Sequence, residues 1–184
     1  RIVATFEEPL THFDALQRLF RSVGKIEKPA FEEFVEPLVG RSGVLGFGWA
    51  PRVDASERKA FERQASRIWE REFFIADFDD ATGALRAPER AQYFPVLFND
   101  VSQRRLRSQG IDLFAPQARR ALILRAIGEG RAVSSGVVHS SLNANANGKT
   151  VVFVAPVYDS EKRRPEPGER LQRTRGVLVS LFDV

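Results

Sequence analysis

An α+β fold is the class this 184-residue sequence predicts, and three observations carry it. Segments with helical apolar spacing come first, strand-like runs crowd the second half, and Asn147-Gly148 joins two of those runs with a strong hairpin signal. A composition of 43% hydrophobic and 28% charged residues suits one globular domain with a real core rather than a disordered chain. No internal repeat is visible.

The first segment reads as a long helix. Val3, Phe6, Leu10, Phe13, Gln17 and Phe20 alternate at spacings of three and four, a heptad seam that Leu16, Leu19 and Val23 widen. Such a face buries either in the chain's own core or against a second copy. Pro9 stands at the first turn of this helix or kinks it. After Gly24, Pro29 with Glu32 and Glu33 announces a second helix to about Val39. The apolar run 43–53 reads as a strand. Asp54 and Ser56 offer N-cap oxygens to a helix whose core face is Phe61, Ala65, Ile68 and Trp69.

Short strands follow at 72–78 and 92–98, separated by a polar loop over 79–89. A helix from about Pro116 to Gly128 presents Ala121, Leu122, Leu124 and Ile127. Strands at 133–142 and 149–158 flank the Asn-rich loop, a charged Pro-bearing loop covers 159–170, and a last strand spans 176–182. The expected architecture is a sheet with helices packed on one face.

Most familiar site chemistries fail on their own spacing. The absence of cysteine excludes disulfides, thiolate metal sites and cysteine nucleophiles. Gly148-Lys149-Thr150 resembles the end of a phosphate-binding loop, but Asn143 stands where its first glycine belongs and a strand follows. Asp77, Asp79 and Asp80 fail as a calcium loop because Ala81, Thr82 and Pro88 occupy positions five, six and twelve. With His12 and His139 alone, no two-histidine helix motif exists. Ser134, Ser135, Ser140 and Ser141 near His139 lack a nucleophile elbow, and adjacent strand residues point apart. No metal, cofactor or catalytic residue is therefore expected. The net charge of +4, with 23 arginines spread along the chain among acids, reads as a solvated mixed surface rather than a nucleic-acid footprint. Arg58 and Glu62 read as an ordinary helix-surface pair.

One ordered set of segments is more specific. Trp49-Ala50-Pro51-Arg52-Val53, Arg58 with Ala60-Phe61-Glu62, Tyr93-Phe94-Pro95-Val96, Gly110-Ile111-Asp112-Leu113 and Pro156-Val157-Tyr158 together resemble the CHASE domain, from about Leu16 to Val184. That family comprises extracytoplasmic sensors of histidine kinases and of cyclic-dinucleotide cyclases and phosphodiesterases. The resemblance implies an N-terminal stalk helix over 1–27 continuing from a membrane span, a PAS-like ligand-sensing lobe over 28–160 with an antiparallel sheet, and the start of a membrane-proximal segment over 161–184. It also implies a periplasmic location within an inner-membrane protein; in such a protein the seam Val3, Phe6, Leu10, Phe13 and Phe20 is expected to pair two copies as a parallel homodimer through the stalk helix.

The candidate ligand-lining residues are Phe73, Tyr93, Ile111, Leu113, Ser135, Phe153 and Tyr158, in a cavity on the concave side of the sheet. Phe73, Ile111 and Ser135 match pocket positions of the plant cytokinin receptors in this family. Where those receptors carry a carboxylate on the adenine ring this chain has Ala91, which removes a charge-assisted bond worth about 1.5–3 kcal/mol. Trp49, Pro51 and Arg52 are expected to close the core. The expected function is sensing of an unidentified small molecule and relay to a cytoplasmic kinase or cyclic-di-GMP module; the alternatives are a ligand-free dimerisation or partner-binding module and a serine hydrolase.

Overall fold

A computed structural model describes residues 7–40, 43–79, 83–101, 108–139, 149–159 and 165–183. In chain order the elements are α1 (Glu7–Ser22), α2 (Lys28–Val35), β1 (Val44–Pro51), β2 (Val53–Asp54), a 3₁₀ turn (Ala55–Glu57), α3 (Arg58–Trp69), β3 (Ala76–Asp79), β4 (Gly83–Arg86), β5 (Gln92–Tyr93), β6 (Phe98–Val101), α4 (Gln117–Glu129), β7 (Val133–His139), β8 (Lys149–Tyr158) and β9 (Thr174–Asp183). The class is α+β.

Five strands form one antiparallel sheet in the order β6-β1-β9-β8-β7, so the first and last strands meet at its centre. Successive side chains alternate between its faces. On β8, Ala155 and Val157 join one cluster while Val154 and Tyr158 join another. Phe13, Leu16 and Phe20 of α1 and Phe31 and Val35 of α2 cover the first face, over Phe47, Trp49, Leu178 and Phe182. Leu122, Ile123, Ala126 and Ile127 of α4 cover the second, over Ala50, Val133, Val154, Val177 and Val179. Helices thus lie on both faces, which corrects the expected one-sided cover. The reason is that β8 and β9 are apolar on both sides, so each face needs its own helix.

The centre of the sheet depends on one close approach. Gly176 of β9 faces Pro51 of β1, and a Cβ there would meet the Ala50 carbonyl at 2.5 Å and the Trp49 ring at 2.6 Å. Only glycine fits. Trp49 lies buried against Phe20, ring centroids 5.0 Å apart, so it closes the core as expected.

The N-terminal helix departs from expectation. It is described over 16 residues, about 24 Å at 1.5 Å per residue, and ends at Ser22, short of the expected stalk end at 27. Phe13 and Phe20 of the heptad seam are fully buried in the chain's own core; Phe13 stacks on Phe47, and Leu16 between them is buried as well. The outward residues Thr11, Asp14, Arg18 and Arg21 are polar, with Ala15 among them. Val3 and Phe6 lie outside the described residues. The Leu10 side chain also lies outside what is described; from Phe13 to Phe20 the seam is a core face, because Leu16 and Leu19 make the stripe broad enough to sit on a sheet.

Arg175 on β9 fastens the end of this helix, donating to the carbonyls of Phe20 (3.1 Å), Val23 (2.9 Å) and Gly24 (2.6 Å). Gln17 adds a bond to the Pro156 carbonyl at 2.7 Å.

Two further expectations are corrected. The polar stretch 79–89 contains a strand, β4, which pairs with β3 in a hairpin of its own; residues 80–82 lie outside the described residues. On α4, Leu124 faces solvent, and Ile123 and Ala126 take the core positions with Leu122 and Ile127. The Asn-rich loop, with Ser140 and Ser141, is also outside the described residues.

Candidate functional site

Helix α3 begins where Asp54 and Glu57 form a reciprocal capping box, which fixes the direction in which Arg58 leaves the backbone. Arg58 is not the surface residue its spacing suggests. Arg58 and Glu62 expose only 13% and 14% of their side chains. The guanidinium donates to Glu62 Oε1 (3.1 Å), the Ala87 carbonyl (2.8 Å), the Pro88 carbonyl (3.2 Å) and Tyr93 Oη (3.1 Å). Glu62 Oε1 also accepts from the Ile75 N–H at 2.9 Å, and its Oε2 from Arg86 at 3.2 Å. Burial by itself would lower the Arg58 pKa, but the hydrogen bonds to Glu62 and Tyr93 outweigh it and raise it. The hub ties α3 to a chain segment up to 35 residues away.

A second clamp lies beyond it. Arg90 donates to both Asp77 oxygens and to Asp112 Oδ2 at 3.2 Å, joining β3 to the 110–113 segment. Asp112 Oδ1 accepts the N–H groups of Phe94 (2.8 Å) and Phe114 (3.0 Å). Burial pushes the Asp112 carboxyl above its ordinary value, against the opposite pull of those two N–H groups and Arg90. Gly110 holds a φ of +91°, and a Cβ there would meet the Phe74 carbonyl at 2.5 Å, so this segment reaches Ala76 only with glycine. The bonds that result are Ala76 N–H to Gly110 O (2.9 Å) and Asp112 N–H to Ala76 O (2.7 Å).

Between α3 and the chain that follows it runs a groove of about 470 Å³, lined by Lys59, Glu62, Arg63, Ser66, Arg67, Glu72 and Phe73. Ser66 Oγ donates to the Glu62 carbonyl (2.8 Å) and accepts the Phe73 N–H (3.0 Å), which draws the aromatic residue onto the helix. Phe73 packs edge-on against Phe61 at 5.8 Å. The volume lies within the ~300–1,000 Å³ of small-molecule sites.

Of the seven residues proposed from sequence, Phe73 alone lines this groove. Tyr93 is buried with Val53, Ile75 and Ala87, and its hydroxyl donates to the Pro88 carbonyl while accepting from Arg58 and the Arg90 N–H. Ile111 is buried beside Ala76, and Leu113 is half-buried against the α4 cluster. Ser135 Oγ sits at a bulge in β7, donating to the Gly136 carbonyl and accepting from the Val152 N–H. Phe153 faces the α1 side, edge-on to Phe182, whereas Tyr158 faces the α4 side and donates to the Ile127 carbonyl at 2.7 Å. Phe153 and Tyr158 occupy opposite faces of one sheet, so the seven do not line a single cavity.

The residues that sequence reasoning missed are Lys59, Arg63 and Arg67, at i, i+4 and i+8 on one helix face; their spacing was the available signal. Among the described residues no group of three acids or histidines is placed to hold a metal ion, and no helix is long and apolar enough to cross a membrane. The Ser135 hydroxyl is committed to backbone groups, and the His139 side chain lies outside what is described.

Among known families, the family model for the CHASE domain matches residues 24–184. No curated protein matches the chain.

Proposed function

The chain belongs to the CHASE family, extracytoplasmic sensory domains of membrane signalling proteins, and from that premise we propose that it binds a small molecule in the α3 groove as the periplasmic sensor of a bacterial inner-membrane receptor. The signal passes to a cytoplasmic kinase or cyclic-di-GMP module. The observation that carries the binding step is the groove itself, a site of small-molecule size floored by Phe73. A contiguous route supports the relay: Trp69 Nε1 at the end of α3 donates to the Leu97 carbonyl at 3.0 Å, β6 follows, and the sheet leads through β1 and β9 to Arg175 on the end of α1. The homodimer through the α1 seam is not carried forward, because Phe13 and Phe20, two of its apolar positions, are buried in the chain's own core.

A thermal-shift screen with purines, amino acids and small carboxylates tests this reading. A ligand at 100 times its Kd adds about 2.7 kcal/mol, a rise in Tm of about 5–10 °C for a chain of this size. A cooperative melt that no compound class raises contradicts it.

A second reading, docking of a partner protein, has one observation in its favour: the β3–β4 hairpin exposes Phe78 and Leu85 by 56% and 53%.

A further inference from the structure

The groove has a chemical sign that the family does not specify. Lys59, Arg63 and Arg67 recur every fourth residue along α3, so the cationic row spans about 12 Å. Like charges one helical turn apart destabilise a helix, and acids spaced between them usually relieve the repulsion. Here the acids are engaged elsewhere. Glu62 gives Oε1 to Arg58 and the Ile75 N–H and Oε2 to Arg86, and Glu72 lies 3.6 Å from Arg86. Among the described residues, Lys59, Arg63 and Arg67 form no ion pair. Below them, Ser66 is satisfied by backbone and Phe73 supplies an aromatic floor.

We propose that the groove selects an organic polyanion, a compact molecule with two or three separated carboxylate or phosphate groups set along Lys59, Arg63 and Arg67 and its carbon skeleton against Phe73. This rests on the groove being the ligand site. A single anion satisfies one of these cations at a time, whereas groups spread over the row engage several, and charge-assisted bonds to guanidinium are the strongest available to them.

Titration calorimetry of the whole chain with propane-1,2,3-tricarboxylate, its neutral triamide and pyrophosphate tests the inference, with Arg63→Gln, Arg67→Gln and, as a control on the outer face of α1, Arg18→Gln. The expected result is binding of at least one of the two anions and not of the triamide, weakened about tenfold by either groove variant, unchanged by Arg18→Gln, and weakened by added salt. The tricarboxylate and pyrophosphate arms tell carboxylate from phosphate as the source of charge. Equal binding of the triamide, or anion affinities that Arg63→Gln and Arg67→Gln leave unmoved, overturns the inference. A neutral compound from the stability screen whose binding survives Arg63→Gln but is lost in a cooperatively folding Phe73→Leu variant overturns the anion selectivity and leaves the groove as the site; a compound indifferent to Arg63→Gln, Arg67→Gln and Phe73→Leu removes both.

Discussion

Helices α1 and α3 are both amphipathic, yet they contribute differently. From α1, Phe13, Leu16 and Phe20 are fully buried against the sheet, and its outward face is largely polar. From α3, Ala65 alone is fully buried, while Arg58 and Glu62 form a polar hub and Lys59, Arg63 and Arg67 line a groove with no ion pair among the described residues. A helix that buries large apolar side chains is held by packing and contributes stability. One that rests on the half-buried Phe61, Ile68 and Trp69 and on the Arg58–Glu62 hub leaves its outward side chains available for a ligand. The contrast assigns structure to α1 and recognition to α3.

The largest effect that sharpens this contrast is on α1. Phe20→Ala removes a ring packed on both Phe31 and Trp49 and should cost about 3–5 kcal/mol, read as a lower denaturant midpoint at unchanged m. On α3, Arg58→Met removes one of the two donors to Glu62 Oε1 and one of the two to the Tyr93 hydroxyl, and leaves the Ala87 and Pro88 carbonyls without the guanidinium. About 2–3 kcal/mol is expected from the same measurement, less than for a fully buried pair because some of each side chain reaches water. A cost for Arg58→Met equal to that of Phe20→Ala would erase the distinction.

The Asp112 clamp gives a pH test. Its carboxyl is raised by burial, so the folded state holds the proton more tightly than the unfolded chain. Its contribution is full below the ordinary carboxylate pKa of about 4 and is lost as pH rises through the folded value. Stability of the wild type relative to Asp112→Asn should therefore improve as pH falls through that window. A difference that stays flat, or moves the other way, contradicts the assignment. The smallest effect is expected at Arg63→Gln, which stays within about 0.5 kcal/mol of the wild type because the residue is exposed and its removal relieves like-charge repulsion.

The same contrast explains what the sequence discloses. The apolar spacing of α1, α2 and α4 and the β-branched runs of β8 and β9 are local patterns, and their spans follow from periodicity. The β4 strand hides in a polar stretch because its register comes from β3 rather than from its own side chains. Arg58 reads as a surface ion pair because its decisive partners, Ala87, Pro88 and Tyr93, lie 29 to 35 residues away. At the site, Phe73 is legible through the family resemblance alone. The cationic row is legible by spacing, but nothing in the chain shows that Glu62 is already taken by Arg86. The face assignments of Phe153 and Tyr158 follow from strand parity, which a pocket list drawn from resemblance overlooks.

Hydrogen–deuterium exchange with and without propane-1,2,3-tricarboxylate tests the central claim most directly, since it reads every helix and strand at once. Slowed exchange in peptides covering Arg58–Phe73, with α1 unchanged, is the predicted result. Slowing confined to β7 and β8, around Ser135 and Tyr158, with α3 unaffected, would contradict it.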